Sequence, residues 1–298
     1  GAGRGAAWAR GVPDGTTFER IAFDALLVRA AVAAGAHFYD ETSVDRIAGD
    51  TVTVTAAGRE RTERFDAIAL AEGGTGALAA RAGLPPFDHR LAAYRGYVET
   101  ATDLPDEYQV HYAGAFVPGY AWIFPVGRRR ANVGAVLAAR GDVRAALGAW
   151  MASSADARGP LGVDARLEDG RGGVICIGRS RRHAGRTFAI GAAAGIADPL
   201  SAEGVSQAMR SALFFARALR ANGGDPARAG IAYERDVRAF DANNREALRM
   251  RGLFRYLAGP MTSLAARRPR LARHVIASGY FPKRDARWFL QTFTAALR

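Results

Sequence analysis

Cysteine is almost absent from this chain: one residue, Cys176, in 298. That excludes an intramolecular disulfide and fits a reducing compartment. Lysine is just as scarce, since Lys283 is the one lysine among 41 basic residues. No run approaches the ~18 consecutive apolar residues that cross a bilayer. The five histidines, His37, His89, His111, His183 and His274, lack metal-ligand spacing, so no metal is expected. No Ser/His/Asp set stands out, and there is no internal repeat or low-complexity linker.

What is present is a 49% hydrophobic, 23% charged composition, enough for one large domain or two interleaved ones. The formal charge of +12 is uneven. Residues 245–298 hold 12 Lys+Arg against 2 Asp+Glu, or +10, leaving +2 for the first 244. Such a segment suits an anionic membrane surface, nucleic acid, or a solvated helical face. Nucleic acid is disfavoured, because the charge lies outside any recognition motif.

The stretch 187–220 organises the rest. Residues 187–190 form a short apolar run suited to a buried strand. A small-residue turn, 191–195, follows, and then a loop, 198–204. After it Val205, Ala208, Met209, Ala212, Phe215, Ala216 and Leu219 recur at helical spacing. Strand, glycine turn and helix start is a ligand-holding arrangement. Taken alone, the stretch is equally a packed strand–helix unit. An amphipathic helix is expected over 23–34, closed by Gly35. Strands are expected over 37–47, 51–56 and 65–71, then a glycine-rich turn and a helix to Arg81. Pro85-Pro86 marks a boundary. Beyond it the pattern favours strands over 93–100, 108–112, 120–124, 131–137 and 173–177, interrupted by a helix over 143–152. Gly223-Gly224-Asp225-Pro226 ends the long helix, with one helix over 231–257 and several more after Pro260.

Four motifs in register resemble the geranylgeranyl reductase family of FAD-dependent oxidoreductases, within the p-hydroxybenzoate-hydroxylase-like flavoproteins. Pro199-Leu200-Ser201-Ala202-Glu203-Gly204-Val205 is similar to the family's Pro-Leu-Thr-Gly-Glu-Gly-Ile loop. Arg20-Ile21-Ala22-Phe23-Asp24 matches its Arg-x-x-Phe-Asp. Glu72-Gly73 stands at its Asp-Gly, with Gly76 where the family has serine. Tyr120-Ala121-Trp122-Ile123-Phe124-Pro125 resembles its Tyr-x-Trp-x-Phe-Pro, with Asn132-Val133-Gly134 as the partner strand. The resemblance covers most of 18–298.

The resemblance implies a mixed α/β (α+β) fold: a Rossmann-like FAD-binding domain (1–84 and 184–222) interleaved with an antiparallel β-sheet substrate domain (85–183), plus a helical C-terminal region (223–298). It implies reduction of carbon–carbon double bonds in a prenyl or other apolar substrate, with FAD as cofactor and NAD(P)H or another reductant as electron donor. The implied cofactor residues are Arg20, Glu72, Gly73, Gly191, Gly195, Pro199, Glu203 and Gly204. The implied substrate residues are Tyr120, Trp122, Phe124 and Pro125. The implied location is cytoplasmic, peripheral on the inner face of the cell membrane.

Two departures matter. The family's strand–GxGxxG–helix unit lies upstream of Gly1, so the expectation is of an incomplete FAD domain; Gly1-Ala2-Gly3-Arg4-Gly5 has no strand before it. The family's Gly-Asp step, whose carboxylate holds the ribityl chain, is Gly191-Ala192 here. Weak FAD binding by this chain follows as an expectation. Two alternatives stay open: a truncated or degenerate non-catalytic member, and an FAD-dependent monooxygenase or halogenase on the same fold. Halogenases have Trp-x-Trp-x-Ile-Pro and a catalytic lysine, against Tyr120, Phe124 and the single Lys283 here.

Overall fold

The computed structural model describes residues 16–112, 114–138 and 141–268. The elements are α1 (Arg20–Ala33), β1 (Thr42–Ala48), β2 (Thr51–Ala56), β3 (Arg59–Arg64), β4 (Ile68–Leu70), α2 (Ala77–Arg81), β5 (His89–Glu99), β6 (Gln109–His111), β7 (Tyr120–Gly127) and β8 (Arg130–Ala138). They continue as α3 (Val143–Ser153), α4 (Ala155–Leu161), β9 (Glu168–Ile177), β10 (His183–Ala184), β11 (Thr187–Ala189), α5 (Val205–Ala221) and α6 (Pro226–Arg267). Short 3-10 turns cover Gly73–Thr75 and Gly191–Ala194.

Three sheets result. β1-β2-β3 is an antiparallel meander, β10-β11-β4 contains the parallel pair β11–β4, and β6-β7-β8-β5-β9 is fully antiparallel. Thr187, Phe188 and Ala189 pair with Ile68, Ala69 and Leu70 across more than a hundred residues of chain. These are the two short apolar runs that each lead into a glycine turn. A mixed α/β fold with antiparallel sheets is therefore what the sequence forms.

One core joins β4, β11, the Gly191–Ala194 turn, α5 and α6 through Leu70, Phe188, Ala193, Tyr233, Val237 and Phe240. Tyr233 donates to the Ala189 carbonyl at 2.7 Å, which satisfies its buried hydroxyl. A second core lies under the five-stranded sheet. There Ala121 and Ile123 of β7 and Val133 and Ala135 of β8 pack against Leu147 and Trp150 of α3. Alternation then forces Tyr120, Trp122 and Phe124 onto the opposite face.

Several sequence expectations are corrected. α1 was expected to have an apolar side over Phe23, Leu26, Leu27, Ala30, Ala31 and Ala34, yet none of its residues is buried, and Leu26 is 54% exposed. The strand expected over 37–47 begins only at Thr42, because Glu41 sits at φ 46°, outside extended geometry. The strand over 65–71 shrinks to Ile68–Leu70, the part that meets β11. β3 escapes a hydrophobicity reading altogether: Arg59-Glu60-Arg61-Thr62-Glu63-Arg64 is exposed throughout and forms a charged sheet edge, which discourages further pairing. α6 is one helix of 42 residues that continues through Pro260, where several helices were expected. Proline removes a single donor there, and the ladder runs on both sides of it. Helices expected beyond residue 268, and the glycine-rich stretch 1–7, lie outside the described residues.

Candidate active site

The loop 198–204 is built around Asp198, which is 3% exposed. Its Oδ1 accepts from the Leu200 and Ser201 amides, both at 2.8 Å, and its Oδ2 from Asn243 Nδ2 at 3.2 Å. The Asp198 amide donates to the Glu203 carbonyl at 2.8 Å. This Asx turn fixes the loop before α5 begins. Ser206 donates to the Glu203 carboxylate at 2.6 Å. Gly204 is the N-cap of α5 and offers no side chain, so the first amides of a 17-residue helix have no side-chain cap. Gly191 and Gly195 bound the turn before it. Gly195 has φ 68°, and a Cβ there would sit 2.9 Å from the Gly178 carbonyl, so only glycine fits.

Against this loop stands a row of rings. Tyr120, Trp122 and Phe124 are half-buried, with centroids 5.9 and 6.1 Å apart along the strand. Tyr112 meets Tyr120 edge-on at 6.0 Å, and Tyr108 meets Phe124 at 5.3 Å. Trp122 Nε1 donates to Asn132 Oδ1 at 2.7 Å. The indole lies over Gly134, its register partner on β8, where a Cβ would overlap the ring. The Tyr120 hydroxyl donates to the Ser201 carbonyl and ties the row to the loop. Pro125 is half-buried at the far end, its carbonyl accepting from Thr17.

The remaining expected residues are placed differently. Both Glu72 oxygens are engaged by the Leu78 and Ala79 amides of α2, at 2.8 and 2.7 Å. Gly73 is half-buried in the turn just after it. Arg20 pairs with Asp24 at 3.1 Å on the exposed side of α1. Pro199 is buried. The structure thus brings together Pro199, Glu203, Gly204 and Tyr120 at one loop, and leaves Arg20 apart from it on the exposed helix α1.

Asp198 was expected only as part of the 198–204 loop, and its burial left no mark in the sequence. Arg179 and Arg251 carried no signal in a chain so rich in arginine. Arg179 is 3% exposed and lies 4.1 Å over the Phe87 ring. Burial pushes its pKa down, opposed first by the Glu72 charge. Burial likewise pushes the Cys176 thiol up, and that thiol donates to the Gly74 carbonyl at 3.0 Å, so it is a packing cysteine.

No protein-family model matches the chain, and no curated protein sequence does. Solved structures do. A geranylgeranyl bacteriochlorophyll reductase-like protein from Thermoplasma acidophilum superimposes with TM-score 0.68 at 17% identity, over 92% of this chain and 71% of that one. A flavoprotein/dehydrogenase from Cytophaga hutchinsonii gives TM-score 0.70 at 15% identity, over 98% and 77%. The flavin-dependent brominase Bmp2 gives 0.66 at 17%, over 93% and 74%. The fold is that of the flavin-dependent oxidoreductases. At these identities the likeness is one of fold, shared by reductase-like, dehydrogenase and halogenating members alike.

The flavoprotein fold raises the question of how well these residues suit FAD. The uncapped start of α5 suits the electron-rich pyrimidine edge of a flavin. Where the resemblance puts the ribityl chain, the residues present fit less well. Ala192, half-buried in the Gly191–Ala194 turn, has no acceptor to offer, and the Glu72 carboxylate is already spent on α2.

Proposed function

We propose that this chain is a flavin-dependent oxidoreductase of the geranylgeranyl reductase type, acting on carbon–carbon double bonds of a prenyl or other apolar substrate. The observation that carries this reading is the half-buried row Tyr120–Trp122–Phe124 locked to the loop before α5. Reduced flavin, when bound, would supply hydride to one carbon of the double bond, and a proton from solvent would complete the other. The chain's own residues orient and exclude water. The three rings give a flat apolar wall for a chain-like substrate, and Asn132 and Gly134 hold the central indole flat against β8. The Asp198 turn and the Tyr120–Ser201 hydrogen bond keep wall and helix start at a fixed separation.

Halogenation is disfavoured by the ring row itself, with Tyr120 and Phe124 where halogenases have Trp and Ile. The test is anaerobic incubation with excess FAD, a chemical reductant and geranylgeraniol, followed by mass spectrometry. A gain of two hydrogens per reduced bond is expected. Oxygen insertion or halogen incorporation under aerobic conditions, without any reduced product anaerobically, would replace this reading with the monooxygenase or halogenase one.

A peripheral membrane role for residues 245–298 belongs to the same proposal. Among the described residues no helix is long and apolar enough to cross a membrane. Surface attraction of roughly 1 kcal/mol per base near an anionic leaflet would give reversible binding. Within the described part, Arg249 is exposed and pairs with Glu246 at 2.7 Å, while Arg251 turns inward. Phe281, Trp288, Phe289 and Phe293 lie outside the described residues. Co-sedimentation with anionic liposomes is expected at low salt and is expected to fade at high salt. Binding indifferent to lipid charge and to salt would make the segment a packing element.

A further inference from the structure

β3 is an outer strand of the β1-β2-β3 meander. Its inner side pairs with β2, from Thr51 opposite Arg64 to Ala56 opposite Arg59. Among the described residues no strand pairs with its outer side, and all six of its residues are exposed. Such an edge presents a row of backbone donors and acceptors, while its charges turn most strands away. The order of those charges decides which strand they admit.

That order fits a second copy of β3 running antiparallel. With Thr62 opposite Thr62, Arg61 stands opposite Glu63 and Glu60 opposite Arg64. The two-fold axis repeats both pairs, so every charged contact across the seam joins opposite signs. Other alignments lack this property. Sliding the copy by one position sets Glu60 against Glu63, or Arg61 against Arg64. Sliding it by two sets Arg61 against Arg61, or Glu63 against Glu63. A parallel copy in register would set every charge against its like. The sequence therefore specifies both the direction and the register of the pair.

The surrounding sheet agrees with it. Arg61 and Glu63 share one face, and the positions beside them further into the sheet are apolar: Val54 and Val44 next to Arg61, Val52 and Ile47 next to Glu63. Charge is thus confined to the seam. In a single chain Arg61 and Glu63 pair along the strand at 3.3 Å, with both side chains still 45% exposed. A second copy would convert this pair into a square of four alternating charges.

We propose that two copies of this chain associate through β3, with Thr62 on the two-fold axis, and so join their meanders into one continuous antiparallel sheet. The inference is independent of the flavin chemistry and involves none of the residues of the candidate active site.

The test is sedimentation analysis of the full 298-residue chain from low to high micromolar concentration. A reversible dimer is expected, weakened by added salt, since exposed charges are screened. Two charge variants follow, Glu60→Arg/Glu63→Arg and Arg61→Glu/Arg64→Glu. Each sets like charges across the seam and is expected to self-associate at least about tenfold more weakly than the parent. Mixed one to one, the two are complementary at every charged position and are expected to recover the dimer as a heterodimer. The register is read by cysteine crosslinking, because the native Cys176 is buried. Residues opposite on the axis have Cα atoms roughly 4.5–5.5 Å apart, within reach of a disulfide, so Thr62→Cys is expected to crosslink under mild oxidation. Arg59→Cys is expected not to, since its two copies would lie about 20 Å apart along the strands. A monomer throughout the concentration range would overturn the proposal. So would charge variants that self-associate like the parent, a mixture that fails to recover, or crosslinking through Arg59→Cys as readily as through Thr62→Cys.

Discussion

Arg182→Ala is expected to lower the thermal unfolding midpoint by on the order of 10 °C. The side chain is 2% exposed. Its Nε donates to the Ala194 carbonyl at 2.9 Å, its Nη1 to Asp241 at 3.1 Å, and its Nη2 to the other Asp241 oxygen. Its backbone amide donates to Glu234. One residue thus fastens α6 to the turn before α5. Truncation strands the Asp241 carboxylate and a buried carbonyl and removes a longer 4.0 Å ion pair with Glu234, whose bond from the backbone amide survives; breaking such a buried pair costs roughly 3–5 kcal/mol. Arg182→Lys retains the charge without the planar fork and is expected to fall between the two. Calorimetry of the three proteins checks this; a loss under about 3 °C for alanine would mean that the other contacts of α6 hold it without Arg182.

The second large effect concerns the cofactor. The chain is expected to hold FAD weakly, and Ala192→Asp to tighten it by roughly 10- to 100-fold, as a charge-assisted hydrogen bond of about 1.5–3 kcal/mol provides. Ala192 occupies the turn between two glycines with positive φ, and it is half-buried beside the loop that leads to α5. The two glycines give the turn its left-handed backbone, and under the proposed reading what it lacks is an acceptor for hydroxyl groups. Ala192→Asn offers a neutral acceptor and is expected to give a smaller gain. Flavin fluorescence quenching on titration measures all three. Stoichiometric, tight flavin in the unaltered chain, or an aspartate variant no better than alanine, would show that the turn does not face the ribityl chain.

Those two predictions draw on different depths of legibility. That 67–71 and 187–190 neighbour each other in one sheet was readable, because both are short apolar runs ending in glycine turns; the parallel sense of the pair and its shortening to 68–70 and 187–189 were not. The ring row was readable from alternation alone: Tyr120, Trp122 and Phe124 had to share a face. Sequence reasoning failed where the determinant is another part of the chain. α1 has the spacing of a packed helix, but periodicity reports an apolar side and says nothing of what covers it. β3 has no apolar residues and pairs through its backbone, with a Thr53–Thr62 hydroxyl contact at 3.0 Å. The motif position Glu72 was correctly noticed as a carboxylate after a strand, but its two oxygens serve α2, a role that only coordinates reveal. Arg182 and Arg251 are indistinguishable in sequence from solvated arginines; burial and partners set them apart.

Two apolar surfaces among the described residues compete as the ligand site, and only one fits this account. A groove of about 370 Å³ lies between the meander and β4, lined by Tyr39, Val44, Val54, Phe65 and Ile68. The aromatic wall of β7 is the other, and it alone touches the loop before α5. The most direct test is photo-crosslinking with a prenyl alcohol carrying a terminal diazirine, followed by peptide mapping. Labels on Tyr120, Trp122, Phe124 or the 199–204 loop, competed away by unlabelled geranylgeraniol, are the predicted result. Labels confined to Tyr39, Val44 and Phe65 would place the ligand in the groove and contradict the assignment of the aromatic wall as the substrate site.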